Sequence, residues 1–579
     1  MRGRVALALL LVLLLGHVLV SVGWVSRIPA PESTFHNHDL ALVYHPKIFR
    51  GENWAPMLPV AELTPPSWPG YGPYDLFSGI LTNGERGFRS YRVFTPIHYV
   101  VSSLPAVVAG VSLMTVRIGP AVVLCLLALA AFDIGRLLTR THRSSGHAAG
   151  LLSAIAVTCV PVGWMGVVIG LPTLGNMTGV TLAIWAMVRS DGLRRIGWAA
   201  VAGLLVALAS RWGESAGDGL LSMATLAGPV TLSLLLALAR LLTRREVRGL
   251  LGAAVAVWIA YTLLELEWFQ WHLERYVLDE ARLSSSSDIP ALLERAASNL
   301  HAYQRALTWS LIGLSGTVIS ATGSLLLLRR VRQQPLILVV IAAPLSGLLA
   351  LAISAKGHDY YAAPVVPALM IAGASGVTLL PGRLRVFSGA AAVWLLSSWL
   401  VSAHLDTKAL APVRCTNVVT WGLAGDPTRC LGLLQGREEK VYPWFRIWRK
   451  LPDRQVKRRR DIGLWLTRGG GRSWLDGLGP DTLVLLQAPQ GANGGFDVVH
   501  MIGQSERPDL IFQRVAVGPP QNHAADLISW ARQQGSPVVA VTFSGRMHLQ
   551  DDPPEQPASW MYPYEAGPYG PFVATWRLQ

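Results

Sequence analysis

The chain has 579 residues, 51% hydrophobic and 15% charged, with a mean hydropathy of +0.38. A soluble domain carries about 25% charged residues, so this composition excludes an ordinary soluble enzyme and fits a polytopic membrane protein. The net charge of +15 does not imply nucleic acid. Most Arg residues stand in short loops between apolar runs, where membrane topology puts them, and no basic, aromatic-interleaved soluble face occurs in the first 400 residues.

The first element follows Met1-Arg2-Gly3-Arg4 and runs apolar from Val5 to Val25. It is longer than a signal-peptide core, and no A-x-A cleavage site stands between the end of the run and Ser33. It is therefore expected to be an uncleaved first span that starts in the cytoplasm. Further apolar runs predict spans at about 116–138, 148–168, 172–188, 196–209, 219–239, 249–269, 306–328, 335–353, 361–380 and 386–402. The expected fold class is thus an α-helical polytopic membrane protein with about eleven transmembrane helices.

Arginines test this count. They follow the second span (Arg136, Arg140, Arg143), the fourth (Arg189, Arg194, Arg195) and the sixth (Arg240, Arg244, Arg245, Arg248). The eighth (Arg329, Arg330, Arg332) and tenth (Arg383, Arg385) continue the pattern. Every even exit is basic, so those loops are assigned to the cytoplasm of a bacterial-type inner membrane. The short fifth run belongs in the count, because omitting it would invert every later loop. The odd exits define outer segments at about 26–115, 270–305 and beyond 403. The first holds a helix-like stretch, Ile97–Val111, and the second an amphipathic one, Ala291–Leu307.

The tail alternates strand-like runs (482–486, 496–501, 510–517, 537–543, 572–577) with a helix-like run at 523–534, which suggests a small α/β or α+β domain. The expected domains are 1–404, a membrane domain, and 405–579, an extracytoplasmic one. The basic run Arg446–Arg460 lies in that tail; long domains translocate regardless of charge, so it reads as a solvated face. A reporter that is active only outside the cytoplasm, fused after Gln579, should be active. A reporter active only inside would invert the topology and every site assignment with it.

Cys125 and Cys159 fall in apolar runs and read as packing residues. Cys415 and Cys430 follow the last span; they can pair if the tail faces an oxidising compartment, or remain two free thiols.

Several groups of residues can carry chemistry, among them Arg211-Trp212-Gly213-Glu214-Ser215 with Asp218, and three of them supply the candidate site residues. The first is Phe35-His36-Asn37-His38-Asp39, followed by Tyr44. Asp39 can cap the helix that follows, or act as a general base at the membrane surface. His36, His38 and His45 with Asp39 are spaced too loosely to assign a metal. The second is Tyr91-Arg92-Val93-Phe94-Thr95-Pro96-Ile97-His98-Tyr99. Arg92, with Arg86 and Arg89, suits bidentate phosphate contact, or the stretch is a solvated loop with interfacial aromatics. The third is Lys356-Gly357-His358-Asp359-Tyr360-Tyr361, at the edge of a span, where ionisable residues are costly and mark function. Tyr360 and Tyr361 also fit an interface belt.

The stretch Tyr360-Tyr361-Ala362-Ala363-Pro364-Val365-Val366-Pro367-Ala368 resembles the "YY-x-x-P-x-x-P-A" helix start of the C-type membrane glycosyltransferases. These are the polyprenyl-phosphate-sugar enzymes of the protein-mannosyltransferase and aminoarabinose-transferase type. The acidic residue early in the first outer loop, here Asp39, and the retained Pro96 and Tyr99 are similar to that family as well. The resemblance spans about residues 1–405 and does not reach the tail.

The resemblance implies a polyprenyl-phosphate-sugar donor and an envelope glycan, lipid or protein acceptor. It implies Asp39 as catalytic base, and Lys356, His358, Arg92, Tyr44, Tyr360 and His38 around the substrates. The chain departs from the family where His38-Asp39 replaces an Asp-Glu pair, which weakens any metal-assisted variant, and where only Asn176 stands in place of an Asp at the start of the fourth span. Membrane lipids are the remaining expected partners. The rival readings are a transporter, which would bring repeated halves and polar groups at mid-membrane, and a non-catalytic scaffold of the same fold.

Overall fold

The computed structural model describes residues 3–27, 77–80, 86–89, 96–110, 113–140, 146–168, 173–191, 195–209, 216–240, 289–353, 359–381, 384, 386–409, 470–488, 503, 507, 509–516, 528–529, 531–542, 559–561 and 573–578. The chain divides into two compact units. One comprises Met1–Trp24, Thr95–Val101 and Pro120–Lys450; the other comprises Val25–Phe94, Ser102–Gly119 and Leu451–Gln579.

The first unit is helical. Its elements are α1 (Gly3–Arg27), the start of α2 (Pro96–Ala109), most of α3 (Leu113–Leu138), α4 (Gly146–Cys159), α5 (Pro161–Val168), α6 (Thr173–Ser190), α7 (Ile196–Ala209) and α8 (Ala216–Arg240). After the segment 241–288 come α9 (Ile289–Arg305), a π-helical segment (Ala306–Leu311), α10 (Gly313–Leu328) and α11 (Leu336–Ile353). A 3₁₀ turn (Asp359–Val365), α12 (Val366–Val377) and α13 (Val386–Ala409) complete it.

Its surface is that of a membrane body. Leu11, Leu325, Leu345, Leu349 and Val393 are all more than 60% exposed. A water-soluble fold does not present aliphatic side chains at this density on successive helices. Among the described residues, Gly3–Val22 and Ile118–Leu138 are long and apolar enough to cross a membrane, and seven shorter apolar helical segments accompany them.

Small residues close the helix contacts. α10 crosses α12 where Gly323 meets Gly373 and Gly376. A Cβ added at Gly323 would overlap the Gly373 carbonyl, and one added at Gly376 would overlap the Gly323 carbonyl. Close backbone approach of this kind drives helix association where lipid supplies no hydrophobic force. α8 packs on α11 in the same manner, with Gly228 against Ala342 and Ser346.

Three expected spans differ from simple helices, and of these the run 306–328 opens as the π-helical segment Ala306–Leu311. The run 148–168 is broken, because Pro161 has no N–H to continue α4 and instead opens α5. The run 361–380 begins as the 3₁₀ turn, with Pro364 inside it, and becomes α-helical only at Val366. The run 249–269 lies outside the described residues.

The second unit contains a mixed sheet of order β4-β3-β5-β7-β6, built from β3 (Leu483–Ala488), β4 (Ile511–Ala516), β5 (Val538–Thr542), β6 (Ser559–Met561) and β7 (Val573–Leu578). β3 pairs parallel with β4 and β5, while β7 runs antiparallel to both β5 and β6. β3 opens on an unbroken apolar run, Leu483-Val484-Leu485-Leu486, all four buried, as a central strand requires. The short helix α14 (Gly470–Asp476) is held by Arg507. The Arg507 guanidinium donates to the Leu475 carbonyl at 2.6 Å, to the Leu478 carbonyl at 2.9 Å and to both Asp509 carboxylate oxygens. The same unit holds a two-stranded hairpin, β1 (Phe77–Ile80) against β2 (Arg86–Arg89), which the sequence reading did not anticipate. The expected strand at 496–501 and the pair Cys415 and Cys430 lie outside the described residues.

Candidate functional site

The 3₁₀ turn Asp359–Val365 is where the helical unit gathers its irregular geometry. It packs against α6, α8 and α11, and against the π-helical segment that precedes α10. π-helical segments are rare and recur at functional sites, whereas 3₁₀ turns are common at helix starts; here the two touch. Sequence explains both the turn and its fit. Pro364 and Pro367 remove two backbone donors within four residues, so the chain cannot enter α12 as a regular helix. Gly347 on α11 then leaves room for the turn: a Cβ there would stand 2.6 Å from Val365 Cγ2 and 2.7 Å from Thr225 Oγ1. Asn299 of α9 donates its amide to the Ala352 carbonyl at 3.0 Å, which ties α9 to the end of α11 just before the segment that carries Lys356.

A buried polar seam lies beside the turn on α6, α8 and α11. Ser222 Oγ donates to Asn176 Oδ1 at 3.3 Å, and Ser346 Oγ donates to the Thr225 carbonyl at 2.7 Å. Thr173, Asn176, Ser222 and Thr225 are each buried, and Thr173 Oγ1 has no hydrogen-bond partner among the described residues. Such groups are costly in an apolar interior unless paired, so their concentration next to the turn singles out this region.

Of the residues singled out from sequence, Tyr360 stands on the 3₁₀ turn, placed there by its backbone. Asp39, His38, Tyr44, Arg92, Lys356 and His358 lie outside the described residues. In sequence, Lys356 and His358 fall between Ile353 of α11 and Asp359 of the turn. Among the described residues no group of three or more His, Cys, Asp or Glu could hold a metal ion.

A second cluster escaped the sequence reading. Asp133, near the end of α3, accepts from Arg136 Nε at 3.0 Å and Nη2 at 2.6 Å, from Trp185 Nε1 at 2.8 Å and from Arg189 Nε at 2.5 Å. The Arg189 guanidinium lies over two indoles, 5.9 Å from Trp185 and 5.5 Å from Trp198, and those rings meet edge to face at 4.9 Å. Arg140 approaches Asp191 at 3.9 Å. The signal was present in the sequence: Asp133 is an acid inside an apolar run, which needs a partner.

No family model matches the chain, and no curated protein matches it. Among solved structures, it is similar to ArnT from Cupriavidus metallidurans bound to undecaprenyl phosphate, with 14% identity and a TM-score of 0.46 over 92% of this chain and 93% of that one. The apo state of ArnT aligns equally well, over 92% of each chain. The archaeal oligosaccharyltransferase AglB from Archaeoglobus fulgidus, in complex with an inhibitory peptide and a dolichol-phosphate, aligns with 14% identity and a TM-score of 0.38, over 92% of this chain and 69% of that one. ArnT is an aminoarabinose transferase, the type whose signature the sequence resembles. At these values the likeness is one of structure and assigns neither a family nor an activity.

Proposed function

We propose that the chain is an integral-membrane glycosyltransferase. It moves a sugar from a polyprenyl-phosphate donor to an envelope lipid, glycan or protein acceptor at the outer face of the inner membrane. The observation that carries this reading is the Lys356–Ala368 signature, whose described part folds as the 3₁₀ turn and the start of α12 at the polar junction of α6, α8 and α11.

In this reading Asp39 removes the proton from the acceptor hydroxyl as its oxygen bonds to the anomeric carbon. The bond from that carbon to the donor phosphate breaks, and the electron pair leaves on polyprenyl phosphate. Lys356, His358 and Arg92 hold that phosphate and offset its growing negative charge. Tyr44, Tyr360 and His38 line the substrates. Phosphate is a good leaving group when so held, so the reaction needs no nucleotide site.

Purified protein in proteoliposomes should consume a polyprenyl-phosphate-linked sugar when cell-envelope extract is supplied as acceptor. Release of polyprenyl phosphate is the readout. Absence of turnover across pentosyl and hexosyl donors would favour the second reading, a non-catalytic scaffold of the same fold. That reading is favoured by one observation, that His38 stands where the family carries an acidic partner for Asp39.

A further inference from the structure

The Asp133 cluster has no part in the proposed transfer: its partners Trp185 and Arg189 stand late on α6, whereas the polar seam beside the 3₁₀ turn uses Thr173 and Asn176 at the start of that helix. We infer that it is a binding site for the phosphodiester headgroup of an anionic phospholipid.

The first support is charge. Among the described residues four arginines gather at the ends of α3 and α6, namely Arg136, Arg140, Arg189 and Arg195, with Asp133 and Asp191 as the acids. Arg195 is held at the end of α6 by its backbone, whose N–H donates to the Ser190 carbonyl at 3.1 Å. The cluster therefore carries two positive charges in excess.

The second is the way the guanidiniums are used. Asp133 takes Nε and Nη2 of Arg136, and that residue's Nη1 has no partner among the described residues. Arg140 has only the 3.9 Å approach to Asp191 and is half exposed. Arg136 is also partly exposed, at 39%. The shared carboxylate thus fixes one guanidinium in place and leaves donors over for an anion, the planar arrangement that phosphate oxygens accept.

The third is location. Asp133 lies five residues before the end of α3, about 7 Å along the helix axis. Trp185 and Trp198 stand beside the cluster, and indoles concentrate at the headgroup level of a bilayer. Basic pockets between spans at this level bind anionic headgroups. An ordinary topogenic arginine needs only to be in the loop; here Arg136 and Arg189 are anchored to a buried acid, and Arg189 is braced by two indoles.

The test uses the full chain in mixed micelles, with native mass spectrometry counting retained lipid and thermal denaturation reading stability. Phosphatidylglycerol is compared with phosphatidylcholine, and with phosphatidylcholine plus inorganic phosphate. Wild type should retain phosphatidylglycerol selectively and be stabilised by it. Arg140→Gln should weaken retention about tenfold, the effect of losing one charged contact. Arg136→Gln with Arg140→Gln should abolish the selectivity. Arg140 makes no hydrogen bond to Asp133, so its single variant keeps the fold and keeps the test decisive. Arg244→Gln with Arg245→Gln removes the same charge after α8 and should leave retention unchanged. Equal loss in that control would overturn the site in favour of diffuse surface charge. Equal stabilisation by inorganic phosphate would overturn the lipid as the ligand. Undiminished retention in the double variant would overturn the proposal altogether. Each of these outcomes is independent of whether the protein transfers sugar.

Discussion

Asp39→Asn is expected to remove sugar transfer while leaving membrane insertion and donor-lipid binding intact. The substitution separates the two roles that the sequence allows for this residue. An amide oxygen still accepts a hydrogen bond from a helix N-terminus, so if Asp39 were only a cap, stability would fall by less than about 1 kcal/mol and turnover would be close to wild type. An amide does not take up a proton at neutral pH, so a general base replaced in this way should lose 10²–10⁴-fold in rate. The readout is single-turnover release of polyprenyl phosphate, with donor binding measured separately. Wild-type turnover in the Asn variant would return Asp39 to a structural role and move the base to His38 or the whole chain to the scaffold reading. A variant that loses both binding and transfer would show that Asp39 supports the donor pocket and does not act on the acceptor.

Several helices of the described body were legible in sequence to within a few residues, because a helix in lipid must be apolar for most of its length. The run 172–188 became Thr173–Ser190 and the run 335–353 became Leu336–Ile353. The amphipathic stretch 291–307 became α9, Ile289–Arg305. In the tail, the continuous apolar run at 482–486 marked the central strand β3.

What escaped has a common cause: apolar content reports that a segment is buried or lipid-facing, and says little about how its backbone winds. The π-helical segment and the 3₁₀ turn each begin an expected span, yet both are the irregular parts that shape the candidate site. Pro364 and Pro367 were the available signal for the turn. The hairpin β1–β2 had a stronger one, since Asn83-Gly84 lies between its strands and is the dipeptide that tight hairpins favour. The Asp133 cluster was hidden for another reason. Its partners Trp185 and Arg189 lie more than fifty residues away in sequence, and only the packing of α6 against α3 brings them together. The same limit applies to the candidate site itself: motif order relates Asp39 to Lys356, but no periodicity in the chain measures the distance between them.

Gly376→Leu is expected to be the most damaging single substitution in the described helical unit, and to act on the candidate site from a distance. Even a Cβ at this position overlaps the Gly323 carbonyl, and a Cβ at the neighbouring Gly373 would come within 2.5 Å of Ser320 Cα. The obstacle is backbone, which cannot rotate aside as a side chain would, so α10 and α12 must separate. Overpacking in a core costs about 1–3 kcal/mol and occasionally more; a backbone obstacle in a membrane interface built on small residues belongs at or above the upper end. The consequence reaches further because of what each helix carries. α10 continues from the π-helical segment and α12 continues from the 3₁₀ turn, so their glycine crossing sets how those two segments meet. Separating the helices should therefore lower donor binding as well as the thermal midpoint. Gly376→Ala should show the same two effects in smaller measure. Gly389→Ala and Gly197→Ala are the controls, because a Cβ at either position meets nothing within 4 Å; in helices they should be neutral or slightly stabilising, by up to about 1 kcal/mol. If Gly376→Leu melts like wild type in a detergent series and binds donor lipid normally, then the α10–α12 contact does not organise the turn, and the site must be held by α6, α8 and α11 alone.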